Sequence, residues 1–205
     1  MRFRNTIFVA ALASTAALSI PASAAIVASA TTPLNIRSGP GPQYSVIGAI
    51  PDRGRATITG CIEGSLWCSA SYNGIQGWVY SQYLMATLSG RSLAVAEMRD
   101  VPPVTYRAPV EAVGSAVAAP VVTGTLIEPP AAAPLSLVPP PAVQSYIASH
   151  PTSPVYLNGE VVAGVGLPET VPLSGVPGYD YEYAYVNSVP VLVEPSTRQV
   201  VYVYR

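Results

Sequence analysis

"LNIRSGPGPQYSVIG" occupies residues 34–48 and decides how the chain is read. Gly39, Pro40, Gly41 and Pro42 alternate in its middle. An Asn35-x-Arg37 triplet stands just before them and Tyr44 just after. Three readings compete: a phosphate-gripping loop, a flexible linker, or a rigid turn that presents a surface. The first fails on spacing. Gly39 and Gly41 have no third glycine at the dinucleotide spacing and open no helix, and the chain has no G-x-x-x-x-G-K-[ST].

Working outward, residues 25–86 are short apolar runs separated by turns. "AIVAS", "SVIGAI", "RATITGCI", "LWCSASY" and "GWVY" are the runs; "PDRG", "EGS" and "YNGIQG" are breaks. Many short strands at close spacing predict a small β-barrel or sandwich. Gly64-Ser65 fits a two-residue hairpin with glycine first, and Asn73-Gly74 marks a second hairpin. The first turn sets Cys61 opposite Cys68.

The residues before Ala25 decide how those cysteines read. Arg2 and Arg4 precede an apolar stretch at residues 7–20, and Ala22-Ser23-Ala24 is a small-x-small cleavage site. This is the pattern of a secretory signal over residues 1–24. The stretch is short for a membrane span, which needs about 20 residues. In an exported chain, two cysteines at hairpin spacing read as one disulfide, Cys61–Cys68.

From 87 to 140 the strand pattern stops. Proline, alanine and valine dominate, and "EPPAAAPLSLVPPP" suits neither a helix nor a ladder. This stretch reads as a disordered Pro/Ala-rich linker. Structure resumes over 141–205. "PAVQSYIASH" starts on proline and suits a short helix. Asn158-Gly159 signals a hairpin. "YEYAYVN", "VPVLVE" and "QVVYVY" form an antiparallel meander, with Tyr181, Tyr183 and Tyr185 on one face as half-buried packing. The final strand is an interior strand or an edge open to another chain. The fold class is therefore mainly β: a barrel, a linker and a smaller β-rich module.

Composition narrows function. All ten basic residues are arginine. Loss of a leader would leave eight of them against eleven acids, a formal charge of −3, which argues against nucleic acid. His150 is the chain's one histidine, and no H-E-x-x-H or G-x-S-x-G occurs. The acids are scattered; Glu128 and Glu160 read as solvating. No enzyme, metal or cofactor is expected.

With these residues in view, 25–86 resembles a bacterial Src-homology-3 domain. The motifs are "LNIRSGPGPQYSVIG", "GCIEGSLWCSASYNGIQGWV" and "SQYL". The resemblance implies a small barrel, commonly found on envelope proteins, that binds cell-wall peptides or other proteins. It makes the Gly-Pro cluster the stiff turn of the first long loop, because glycine permits positive φ and proline fixes φ. Asn35 and Arg37 then anchor that loop through backbone hydrogen bonds. "GWVYSQYL" is similar to the groove strand of the eukaryotic domains, which points to Trp67, Trp78 and Tyr83 as ligand residues with Tyr44 at the rim. The acidic loop residues that grip basic peptides there are not recognisable here.

Residues 141–205 resemble a bacterial family of unknown function, DUF1236, through "SPVYLNGEVVAGVGLPETVPL" and "YAYVNSVPVLVEPSTRQVVYVYR". The expected partners are a cell-wall peptide or an envelope protein, in the periplasm or outside the cell, with no membrane anchor after the leader is removed. Two other readings stay open: an adaptor acting through the C-terminal module, and an accessory to an envelope hydrolase on another chain.

Overall fold

A computed structural model describes residues 25–88, 90–108, 121–128 and 137–205. The expected leader and much of the Pro/Ala-rich stretch lie outside the described residues.

The first part is an eight-stranded sheet curled into a barrel. Its strands are β1 (Ile26–Ala30), β2 (Leu34–Arg37), β3 (Val46–Ile50), β4 (Arg55–Cys61), β5 (Trp67–Tyr72), β6 (Ile75–Tyr80), β7 (Leu84–Leu88) and β8 (Arg91–Ala94). They run in the order β3-β2-β6-β5-β4-β1-β7-β8. Ala56 and Ile58 alternate inward along β4, and Ala28, Leu34, Ile36, Ile50, Val79 and Leu84 close the same core. Asn73 and Gly74, with φ of 47° and 82°, turn β5 into β6 as their dipeptide predicts. The β4–β5 turn differs from its expectation. Ser65 N donates to Ile62 O, so Gly64 (φ 72°) is the third residue of that turn, where a type II turn needs positive φ. Cys61 still pairs with Cys68, and the disulfide forms.

The stretch read as linker carries structure. The β7–β8 hairpin passes the expected boundary at 86, and Val95 is buried in the core. Residues 102–104 extend the end of β4: Cys61 N donates to Pro102 O at 2.9 Å, and Val104 N to Cys61 O at 2.9 Å. Further on, β9 (Val122–Thr125) pairs in parallel with β10 (Tyr156–Asn158). Proline composition alone does not reveal the last two segments, because residues 102–104 and β9 take their hydrogen bonds from distant parts of the chain.

The C-terminal part opens with α1 (Pro141–Ser149), which has proline in its first turn. It continues through β11 (Ser174–Gly175), β12 (Glu182–Val186), β13 (Val189–Glu194) and β14 (Gln199–Val203), in the order β11-β12-β13-β14. The meander is as expected. Asn187 and Ser188, both at positive φ, make its first turn despite the missing glycine. Val143 and Ile147, one helical turn apart, pack with Tyr183 and Leu192. The Tyr183 and Tyr185 hydroxyls donate to His150 O and Ile147 O, so this part of the tyrosine face supports the helix. On the free side of β14, Val200 N donates to Val165 O and Gly164 N to Val200 O, so the last strand is a partly covered edge.

Asn158-Gly159 makes no hairpin. Leu126 N donates to Asn158 O, and Gly159 takes φ 101° where the chain leaves β10 for the barrel. One apolar cluster then runs from Ile36 and Leu84 of the barrel through Leu157, Val161 and Val165 to Val191 and Val203. The two parts share this core.

Candidate functional site

All four residues of β2 are buried, which a strand with one solvated face would not show. Leu34 and Ile36 face the barrel core. By the period of two, Asn35 and Arg37 face the other way. The C-terminal part covers them.

Arg37 lies at the junction. Its Nε donates to Glu160 Oε2 at 2.6 Å and its Nη2 to Glu160 Oε1 at 2.9 Å. Asn35 Nδ2 and the backbone N–H of Val161 also reach Glu160 Oε1, at 2.8 and 3.1 Å. Glu160 is fully buried, which corrects its reading as a solvating acid: the desolvation is offset by a two-pronged guanidinium and two further donors. The third nitrogen, Nη1, donates to Pro42 O (3.0 Å), Tyr44 O (2.8 Å) and Asn187 O (3.1 Å). The expected anchoring of the Gly-Pro loop by Arg37 is therefore present, with a second role added. Asn35 departs from its expectation: its amide serves Glu160, and its Oδ1 accepts from Arg205 Nε.

Gly39 of that loop is needed for space. Gly39 and Gly41 do not have positive φ. A Cβ on Gly39 would collide with the Tyr44 ring, whereas one on Gly41 would meet only the end of the flexible Gln43 side chain, which can move aside. Close approach stiffens this turn.

Asn187 completes the junction from the meander. Its Oδ1 accepts from Leu157 N at 2.8 Å, and its Nδ2 donates to Gly159 O at 3.1 Å. Residues 158–159 are therefore held from both sides, by Asn187 and, through Glu160, by Arg37.

A cleft of about 450 Å³ lies between these walls. Residues 40–43 form one side and residues 158–159 the other, with Val122 beside them. Trp67, Tyr80 and the hairpin tip at 64–66 complete it. Its size falls in the lower part of the range for ligand clefts, about 300–1,000 Å³. Arg37 holds both walls, through Pro42 O on one side and Glu160 on the other.

The structure divides the four expected ligand aromatics into two groups. Trp67 packs edge-on to Tyr80, with ring centroids 5.3 Å apart, and Tyr80 lies 6.1 Å from Tyr83. Tyr83 does not reach the cleft. It lines a smaller recess closed by Leu126 and Glu128, and Gln82 Nε2 donates to Glu128 there. Burial first, then the charge of Glu128, pushes the Tyr83 phenol well above the ordinary tyrosine range. Burial and the same carboxylate raise Tyr80 too. Tyr44 and Trp78 form the other group. Tyr106 joins them, edge-on to each at 5.7 and 5.3 Å. Sequence reading missed Tyr80 and Tyr106. Tyr80 falls within "GWVYSQYL", at a position the motif comparison passed over; Tyr106 lay in the presumed linker.

Another cavity, of about 530 Å³, lies behind the disulfide hairpin, between Cys61, Leu66, Val95 and Met98. No aromatic residue lines it.

The fold and cleft define an Src-homology-3-like barrel closed on one side by a second β-rich unit. Residues 32–85 match the family model of the bacterial SH3 domain, and residues 146–205 match that of a domain of unknown function, DUF1236. Over 64 residues the chain is 41% identical to a Bacillus subtilis (strain 168) protein named "Putative N-acetylmuramoyl-L-alanine amidase YrvJ". That alignment covers 31% of this chain and 12% of the relative, so the likeness spans only a small part of that protein. No solved structure matches.

Proposed function

We propose that the chain is an exported, non-enzymatic binding protein of the cell envelope, and that its cleft takes a cell-wall ligand. The observation that carries this reading is the cleft itself: an aromatic-floored groove on a bacterial SH3 barrel, with both walls fixed by one guanidinium. The likeness to a protein named as a putative N-acetylmuramoyl-L-alanine amidase supports a wall ligand, and the disulfide accords with export. In this reading the C-terminal part completes the site. Trp67 contributes the floor, Tyr83 lines the recess under the covering segment, and Tyr44 and Trp78 belong to an outer aromatic group.

Co-sedimentation of residues 25–205 with purified peptidoglycan sacculi tests it. The chain should pellet. Gln43→Ala and Asn158→Ala, at the cleft walls and outside the core, should weaken retention several-fold in folded protein. Retention that survives both but is lost in Trp78→Ala would move the site to the outer group. A chain that stays in the supernatant would refute wall binding and favour an adaptor role among envelope proteins.

A further inference from the structure

The chemistry of the cleft walls goes one step beyond that reading and rests on it. Among the described residues, no arginine, aspartate, glutamate or histidine lines the cleft. Its polar side chains are Gln43, Ser65, Asn158 and the Tyr80 phenol. Gln43 and Asn158 make no side-chain hydrogen bond to another described residue, so each amide has a donor and an acceptor to offer a ligand. The nearest charges of the described residues lie outside the cleft lining. Glu128 stands in the adjoining recess beyond Tyr80, where Gln82 Nε2 donates to it. Arg37 and Glu160 are fully buried and neutralise each other. Glu63 is exposed on the hairpin tip and lines the cavity on the far side. Burial, then the charges of Glu128 and Glu160, raise the Tyr80 phenol above its ordinary range, so it adds no charge to the cleft at neutral pH.

We infer that the cleft selects an uncharged ligand bearing secondary amides, and that it disfavours ligand ends carrying a free carboxylate or ammonium group. A charge brought into a partly desolvated site with no counter-charge loses hydration and gains no partner. A neutral amide exchanges its water contacts for the matched donors and acceptors of Gln43 and Asn158. In a cell wall this chemistry has two sources, the N-acetyl groups of amino sugars and the interior peptide bonds of the cross-linking peptides.

Titration of residues 25–205, followed by tryptophan fluorescence and amide NMR shifts, separates these sources. The probes are tri-N-acetylchitotriose against its deacetylated form, and N-acetyl-Ala-Ala-Ala-amide against uncapped Ala-Ala-Ala. At least one neutral probe should bind, about tenfold or more tighter than its charged counterpart, with little dependence on salt; which one binds identifies the source. Asn158→Asp, which sets a carboxylate at the wall, should weaken the neutral probe. Equal or tighter binding of the charged forms, or binding that fades with salt, would overturn the inference. Sacculi that pellet the chain while no neutral probe binds would overturn it and leave wall binding standing. Failure of both would remove the wall reading as well.

Discussion

Arg37 Nε and Glu160 Oε2 meet at 2.6 Å with neither side chain reaching solvent, although 123 residues separate them in the chain. A pair this deep is held by geometry and by neighbours. Its Coulomb attraction is set against the loss of hydration of two ions. Losing one partner is therefore the damaging change. Arg37→Met leaves Glu160 buried with only Asn35 and Val161 to satisfy it. Glu160→Leu leaves the guanidinium with three backbone carbonyls and no anion. Each should cost about 3–5 kcal/mol in urea unfolding. The double variant should recover part of that loss, with a coupling above about 1 kcal/mol. It will not recover all of it, because the carbonyls of Pro42, Tyr44 and Asn187 lose their donor as well. Single-variant costs under about 1 kcal/mol would show that water reaches the pair.

The shared core makes a second prediction. Leu157, Val161 and Val165 belong to the same apolar cluster as Ile36 and Leu84, so the barrel and the C-terminal part should melt together. Calorimetry of residues 25–205 should give one transition whose van't Hoff and calorimetric enthalpies agree. Two separated transitions would show two independent modules on a tether.

Much of the barrel was legible in the sequence because its signals are local. Asn73-Gly74, the Cys61–Cys68 spacing and the period of two along β4 each involve residues within a few positions of one another. The meander was legible for the same reason. The site was not. Glu160 is one acid after an Asn-Gly pair, and nothing near it in the chain signals an arginine on β2. Asn158-Gly159 has the composition of a hairpin, but its own carbonyls accept from Leu126 N and Asn187 Nδ2, and no hairpin ladder forms around it. Trp67 and Tyr83 were placed together by motif, and the structure puts Tyr80 between them. Long-range burial of polar groups leaves no periodicity to read.

The disulfide yields a third prediction. It closes a loop of sequence separation seven across the β4–β5 hairpin. The chain-entropy relation gives about 2–3 kcal/mol for such a loop. Cys61→Ser with Cys68→Ser should lower stability by about that amount and leave the β-sheet circular dichroism intact. Thiol labelling of the non-reduced protein should find no reactive cysteine. Two reactive thiols would overturn the pairing.

Tyrosine burial predicts the alkaline limit of the fold. Burial, then the neighbouring Tyr202 and Tyr179, push the Tyr204 phenol up to about 12, and burial with Glu128 carries Tyr83 well above its usual range. In the unfolded chain both titrate near 10. Between these values the folded protein keeps protons that the unfolded chain has lost, so stability falls as pH rises. The contribution is fully present below about pH 10 and disappears as pH passes through the folded values. The urea midpoint should therefore be steady at neutral pH and decline steeply above about pH 10, with tyrosinate absorbance rising late and together with unfolding. Tyr204 separates the causes, because its buried hydroxyl has no hydrogen-bond partner among the described residues. Tyr204→Phe removes a desolvated group that gains nothing in the folded state, so it should be neutral or stabilising by up to about 1 kcal/mol at neutral pH. It should also flatten the alkaline decline. A variant that loses stability at neutral pH and keeps the full alkaline slope would show that the hydroxyl is bonded and that Tyr204 does not set the limit.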